Sequence, residues 1–299
     1  MTGQVQVSII IPTYNHSGFL REAIQSVVEQ TFLDWEVIII NNYSEDNTIE
    51  VVESFQDSRI HLINFHNHGV IGASRNKGIE LAKSEWIAFL DSDDRWHREK
   101  LERCFNALDG SVDLIGHAMA FVENERCVRI HKSGPEKKLT FEGLLFGGKS
   151  RLTPSAVLVR KNSLAAVGGF IEKPSFVTSE DYDLWIRLAK NNITFKVIDD
   201  VLTDYRIHAA NASSSVNRQL ESALAVIDSH WEFINTKFFS RIWFKRSRGI
   251  CIYGAGRCFS KNGQKGDAMR MYWRSALAFP FIFKTYMAMA QTLLIKKIV

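Results

Sequence analysis

Asp91-Ser92-Asp93-Asp94 follows directly on the apolar run Trp86–Leu90. Carboxylates two residues apart, on a turn just past a strand, can hold one hard divalent cation from one side. The open coordination positions are then left for phosphate oxygens and water. The same residues would also serve as an N-cap and a dipole partner for the next helix. A second acidic pair, Glu180-Asp181, sits at the start of a run in which Leu184, Trp185 and Leu188 share a helical face. Carboxylates in a first helical turn are commonly dipole partners and nothing more. Polar clusters also occur at Thr13-Tyr14-Asn15 and Asn41-Asn42, each closing an apolar run. Taken alone they are ordinary turn chemistry.

These residues can meet only if the intervening chain is wound to bring them together. Val5–Ile11 reads as a buried strand stopped by Pro12. Phe19, Leu20, Ala23, Ile24, Val27 and Val28 then recur at helical spacing, with Ser17 as N-cap. Trp35–Ile40, Ile60–Phe65 and Trp86–Leu90 read as further strands. Between and after them lie helical patterns over Ile49–Phe55, Ala73–Lys83 and Arg98–Leu108. This alternation predicts an α/β fold with a mostly parallel sheet and helices on both faces. Ligands on such sheets bind beyond the carboxyl ends of the strands, and the polar clusters fall there. From Val112 the pattern loosens. Strands are expected over Val112–Phe121, Arg126–Ile130, Ser155–Arg160 and Phe195–Ile198, a charged turn over Ser133–Lys138, and a helix over Asp181–Lys190. Ala209–Asn217 reads as a linker, with helices beyond it to the end.

The chain has 299 residues, 45% of them hydrophobic and 23% charged, as in an ordinary globular protein. Four cysteines in a chain this long, none in a C-x-x-C pair, make neither a disulfide framework nor a zinc ribbon. They read as reduced cytosolic thiols, and the N-terminus lacks the features of a signal peptide. The other histidines show no zinc spacing, and Ile252–Arg257 lacks the third glycine of a dinucleotide loop. Charge is unevenly distributed. Residues 217–299 hold 14 Lys+Arg against 4 Asp+Glu, a balance of +10, while residues 1–216 hold 23 against 29, a balance of −6. An acidic body argues against a nucleic-acid surface; a basic, aromatic extension suits an anionic membrane or a protein partner.

Four stretches in order resemble family 2 glycosyltransferases. They are VSIIIPTYNHSGFLREAIQSVVEQTFLDWEVIIINNYSEDNT, GVIGASRNKGIELAKSEWIAFLDSDD, SEDYDLWIRLAKNN and TDYRIHAANASS, together spanning about residues 5–215. The resemblance implies a GT-A-type catalytic domain over 1–215, with a nucleotide-sugar half to about 110 and an acceptor half beyond. It also implies a nucleotide-diphospho-sugar donor, a divalent cation (Mn²⁺ or Mg²⁺) and inversion at the anomeric carbon. Asp93 becomes a metal ligand, Asp91 a ribose or metal partner, and Thr13, Tyr14, Asn15 and Asn42 neighbours of the nucleotide. Arg75 becomes a diphosphate ligand, since guanidinium and a helix N-terminus both favour anions; a surface arginine would fit the same placement. Asp181 becomes the base that takes the acceptor hydroxyl's proton, with Glu180 supporting it, and His208 reaches the metal or the diphosphate. Where the family usually carries Asp-Asp, this chain has Asn41-Asn42. An Asn there can still accept through its carbonyl oxygen and can also donate.

The expected function is transfer of a sugar, from UDP by preference, to a saccharide or lipid-linked acceptor in surface-polysaccharide synthesis. It would take place in the cytoplasm or at the inner membrane's cytoplasmic face. The alternatives are a catalytically inactive nucleotide-sugar-binding or scaffold module, which Asn41-Asn42 suggests, and a sugar nucleotidyltransferase. The latter needs a Gly-rich phosphate loop that PTYNHSGF does not supply. The basic helical extension, 216–299, has two open readings: an interfacial amphipathic segment within 217–299, or a helical cap packed on the catalytic domain. Phe279–Val299, broken by Pro280 and Lys284, is a poor membrane span.

Overall fold

The computed structural model describes residues 5–148, 150–208, 215–231 and 238–294, the last without the side chains of residues 238 and 239. The N-terminal half alternates β1 (Val7–Thr13), α1 (Ser17–Val28), β2 (Trp35–Asn41), α2 (Thr48–Glu53), β3 (Ile60–Asn64), α3 (Ile71–Leu81), β4 (Trp86–Phe89), β5 (Arg95–Trp96) and α4 (Lys100–Asn106). Then follow β6 (Leu114–Glu123), β7 (Arg126–His131), α5 (Phe141–Leu145), β8 (Val157–Arg160), α6 (Lys161–Ala166), α7 (Glu180–Lys190) and β9 (Phe195–Arg206). The chain ends in α8 (Val216–Ser229), α9 (Phe238–Lys261), α10 (Lys265–Ala278) and α11 (Phe283–Leu294).

One sheet of nine strands runs β3-β2-β1-β4-β8-β6-β9-β5, with β7 paired to β6. Pairing is parallel from β3 through β4. It turns antiparallel where β8 joins β4 and β6, and β6 and β9 are again parallel. The sheet is therefore parallel over its first four strands and mixed beyond. Ile9, Ile10 and Ile11 are all fully buried, and successive ones belong to different core clusters on opposite faces. Strands buried on both sides need helices on both sides.

Pro12 does not stop β1, which runs on through Thr13 in register with Asn41. Ile10 bonds toward β4, accepting from Leu90 N, and Pro12, two residues on, faces the same side. β4 ends at Phe89, so the missing N–H of Pro12 leaves no ladder bond unmade. Ser17 is the first helical residue of α1, not its cap; His16 holds the cap position, and Ser17 N donates to Asp46 Oδ2 at 2.8 Å. The strand expected over Phe195–Ile198 continues to Arg206. Asp199 and Asp200 interrupt its apolar pattern, and in the structure they form an exposed bulge. His117 pairs with Ile198 and the next β6 residue, Ala118, with Val201. Most of the expected linker, 209–214, lies outside the described residues.

The last four helices have a core of their own, built from Leu220, Leu224, Ile252, Phe259, Met271, Tyr272 and Met289 among others. They are also seated on the α/β body. Val226 and Ile227 of α8 join the main core, and Ser247 of α9 donates to Leu145 O of α5 at 2.6 Å. The glycines at 254 and 256 lie inside α9, which disposes of the dinucleotide-loop fragment.

Candidate active site

The carboxyl ends of β1, β2 and β4 face the N-terminal ends of α3 and α7, and the polar clusters gather between them. The Asp91–Asp94 turn is closed by Asp94 N donating to Asp91 O at 2.9 Å, and Asp91 N donates to Ser155 Oγ at 3.1 Å. Arg206 fastens the turn from β9. Its Nε donates to Asp93 O, its backbone N to Asp94 Oδ1, and its Nη1 to Glu22 Oε2 on α1.

Arg75 is buried, not a surface arginine. Its Nη2 donates to Asp91 Oδ1 at 2.7 Å and its Nη1 to Glu180 Oε1 at 2.6 Å. Burial alone would lower its pKa, but the Asp91 and Glu180 charges outweigh that and raise it. One guanidinium thus ties the end of β4 to the start of α7 through charge-assisted bonds. Glu180 is held a second time, its Oε2 accepting from Thr178 N at 2.9 Å. Asp181, next along, is half-buried at the rim, with Tyr182 N donating to its Oδ1 at 2.7 Å. Burial first and the Glu180 charge second push its carboxyl up to about 7, against the lowering effect of Arg75.

The residues around Arg75 explain the glycines and the Asn of GASRNKG. A Cβ on Gly78 would stand 2.4 Å from Ile10 Cγ2, so α3 lies closer to β1 than any other residue permits. A Cβ on Gly72 would meet Ile171 O at 3.0 Å and Glu180 Cγ at 3.7 Å. Asn76 clamps the backbone of Phe170, donating to its carbonyl and accepting from its N–H, both at 2.8 Å. Helix α3 is therefore the strut between β1 and the segment leading into α7.

Asp93 and His208 come together, Nε2 to Oδ2 at 3.1 Å. The His208 ring stacks on Phe19 at 4.5 Å and meets His16 edge-on, while His16 Nδ1 contacts Ser92 Oγ at 3.2 Å. Asp91, the third expected ligand, is turned to Arg75. Among the described residues no group of three His, Cys, Asp or Glu side chains is arranged to hold a metal. The Asp93–His208 pair sets a carboxylate oxygen and an imidazole nitrogen 3.1 Å apart. That pair fits a divalent cation taking its remaining ligands from a diphosphate and water.

At the ends of β1 and β2, Asn42 N donates to Thr13 O at 3.0 Å. Asn15 sits at φ +53°, its N–H on Ser44 Oγ at 2.9 Å and its Oδ1 accepting from Glu45 N at 2.8 Å. Asn41 Oδ1 accepts from Ser44 N at 3.0 Å, and its Nδ2 donates to Asn64 Oδ1 at 2.8 Å across the β2–β3 register. Asn42 Oδ1 accepts from Asn67 N at 3.0 Å. A backbone N–H needs an oxygen opposite it, so both amides are fixed and neither rotates freely. Tyr14 stands half-exposed beside this cluster, with Tyr43 next to Asn42. Behind Tyr43 lie His66 and His68, whose rings stack at 4.4 Å.

Sequence reasoning placed Asp91, Asp93, Glu180, Asp181, Arg75 and His208 around one region, and the structure brings them there. It gave no role to Arg206, Ser155, Phe19 or His16, nor to the Tyr43–His66–His68 stack. Arg206 stood inside the Tyr205-Arg206-Ile207-His208 segment, where its neighbour His208 was the only signal.

Residues 8–167 match the model of the family described as Glycosyl transferase family 2. The chain is 33% identical over 218 residues to UDP-Glc:alpha-D-GlcNAc-diphosphoundecaprenol beta-1,3-glucosyltransferase WfgD of Escherichia coli, covering 72% of this chain and 82% of that one. It is 30% identical over 250 residues to the uncharacterized glycosyltransferase MJ1057 of Methanocaldococcus jannaschii, covering 80% and 85%. Among solved structures it resembles S. aureus TarS 1–349 in complex with UDP-GlcNAc, with a TM-score of 0.62 at 19% identity over 96% of this chain and 89% of that one. Mannosyltransferase PcManGT from Pyrobaculum calidifontis, in complex with GDP-Man and Mn²⁺, gives a TM-score of 0.58 at 16% identity over 98% and 86%. The mixed sheet with its flanking helices is thus a GT-A-type fold.

Proposed function

The chain belongs to glycosyl transferase family 2, and on that premise we propose that it moves a sugar, with inversion, from a nucleoside-diphosphate donor to a hydroxyl of a lipid-linked saccharide. The observation that carries this reading is Arg75. Its buried guanidinium joins Asp91, from the donor side, to Glu180, on the acceptor side, through two ion pairs beside Asp181. A carboxylate poised near 7 at the rim suits a general base working at neutral pH. Asp181 takes the proton of the acceptor hydroxyl as that oxygen attacks the anomeric carbon. Glu180, pinned by Arg75 and Thr178 N, fixes the first turn of α7 and keeps Asp181 at its station. Thr13, Tyr14, Asn15 and Asn42 line the place for the nucleoside.

Asp93 and His208 would hold a divalent cation, Mn²⁺ or Mg²⁺, and the cation would neutralise the departing diphosphate. A Mn²⁺ complex in a neighbour of the same fold supports this choice of cofactor. The E. coli relative is named for a UDP-glucose donor and a diphosphoundecaprenol-linked acceptor, which supports UDP and a lipid-linked acceptor here.

The test is incubation with UDP-glucose or UDP-GlcNAc and Mn²⁺, first without acceptor and then with a prenyl-diphosphate-linked sugar. Slow release of UDP without acceptor and a β-linked product with it are expected. No UDP release from any donor, with donor binding intact, would make the chain a binding module instead.

A further inference from the structure

The C-terminal helices carry an apolar face that the packing of the described residues leaves exposed. Helix α10 turns Met271, Tyr272 and Ala276 inward to the core it shares with α9. On its other side Trp273 and Leu277, one helical turn apart, are 59% and 83% exposed. Helix α11 repeats the arrangement. Its buried positions are Thr285, Ala288, Met289 and Thr292, whereas Phe283, Met287 and Leu294 are exposed. Spacings of four and seven put those three on one stripe. The bulkier apolar groups of α11 are therefore on the outside, the reverse of what a simple cap requires. Residues 268–299 contain five Lys or Arg and no Asp or Glu, and Arg274 and Lys284 are exposed among these apolar side chains.

We propose that this face docks on an anionic lipid surface and lies in the interface plane. Its charge selects the occupant. Two copies meeting face to face would set Arg274 and Lys284 against the same charges, while an anionic leaflet attracts both. Trp273 and Tyr286, the latter 43% exposed, have the amphipathic rings that settle at headgroup level. No helix among the described residues is long and apolar enough to cross a membrane, so the contact is interfacial. The acidic body, at −6 over residues 1–216, is repelled by the same leaflet, which orients the docked molecule. The proposal draws its purpose from a lipid-linked acceptor, but its test uses neither donor nor acceptor and so fails separately from the transferase reading.

The full chain is sedimented with phosphatidylcholine vesicles, with and without phosphatidylglycerol. Binding to the anionic vesicles that weakens with added salt is expected, since surface charges are screened within about 10 Å at 0.1 M. Trp273→Glu combined with Leu277→Glu should weaken that binding by about tenfold or more, because each removes an exposed apolar anchor. Both sites are exposed, so the thermal midpoint should hold; Trp273→Ala with Leu277→Ala serves as a milder second variant. Equal binding by native and both variant chains overturns the proposal. Absence of vesicle binding overturns it too, and a concentration-dependent dimer lost in the variants would then assign the face to a second copy.

Discussion

Arg75 is the keystone between two carboxylates, Asp91 and Glu180. Its partners lie 16 and 105 residues away in sequence, so its type was legible but its bonds were not. Spacing cannot report which carboxylate a fold delivers to a guanidinium. The same holds for Asp181, whose unusual pKa comes from burial and from Glu180 beside it. Asp181→Asn should lower turnover by about 10²–10⁴-fold while donor affinity stays near native, because a base acts in the transition state. In the native chain kcat/KM should rise with pH through about 7, as the carboxyl loses its proton; near-native turnover in the variant would remove the assignment. Stability carries the opposite sign. A carboxyl raised from 3.8 to about 7 on folding contributes fully below pH 3.8 and loses that contribution as pH rises through 7. Asp181→Asn should therefore melt higher than the native chain at pH 8 and equally at pH 3. Asn42 poses a different question. Asn67 N–H pins its carbonyl oxygen, and an Asp in its place keeps that bond while losing the amide donor. Asn42→Asp should favour uracil, whose ring N–H suits an acceptor, over cytosine, whose ring nitrogen is itself an acceptor. A mispaired polar group costs about 1–3 kcal/mol, roughly tenfold to a hundredfold in the ratio of UDP to CDP competition. An unchanged ratio would take Asn42 out of base recognition.

Elements were read best where one pattern ran without interruption. β2 and α7 were found within a residue of their limits because WEVIII and the Leu184–Leu188 stripe have clean periods. β5 was missed because a two-residue strand has no period at all, and α5 and α6 because five or six residues barely make a helical turn and a half. The glycines of α3 had a motif but no visible reason until Ile10 stood against Gly78. Gly78→Ala should cost about 1–3 kcal/mol, because it drives a methyl into a fully buried strand residue. A urea midpoint unchanged from native would mean that α3 can lift off β1 freely. Helix α7 is braced from the far side as well. Asp183 accepts from Arg187 Nε at 2.6 Å and faces His230 Nε2, at the end of α8, at 3.0 Å. Burial alone would raise Asp183, but the His230 hydrogen bond and Arg187 hold it below the usual carboxylate range. The C-terminal helices thus touch α7, the helix that carries Asp181. His230→Ala should lower kcat more than it raises KM, while His230→Gln, able to donate at the same place, should restore most of kcat. Equal activity of the Ala and native chains would limit His230 to packing.

At the scale of the whole molecule, the mixed half of the sheet, where α4 packs on it, buries charge that the chain does not fully compensate. Lys100 of α4 is fully buried, its Nζ 3.7 Å from the Trp96 ring and 3.4 Å from Val157 O. Trp96 belongs to β5 and Val157 to β8, so one side chain touches two strands that stand apart in the mixed half of the sheet. His117 of β6 is fully buried too, and among the described residues its Nε2 has no hydrogen-bond partner. Sequence alone could not foresee this, since a lysine opening a helix normally reads as solvated. Burial lowers Lys100 to about 8, and burial together with the Lys100 charge lowers His117 to about 3. Both shifts make the unfolded chain the better proton binder, so stability rises with pH across each interval. For His117 that interval runs from about 3 to 6.5, and for Lys100 from about 8 to 10.5. A shift of this size corresponds to up to about 3 kcal/mol for the lysine. Lys100→Met keeps the length and apolar stem of the side chain and removes the charge. The variant should be more stable than the native chain at pH 7, and the two should converge as pH approaches 10, where the native lysine is neutral in the fold. Its acid loss should be smaller and end at a higher pH, because His117, free of the neighbouring charge, takes up its proton in the fold sooner. Urea midpoints measured from pH 3 to 10 check all three. A variant less stable than native at pH 7 would show that the cation over Trp96 outweighs its desolvation, and that the packing of α4 on β5 and β8 is held by that charge.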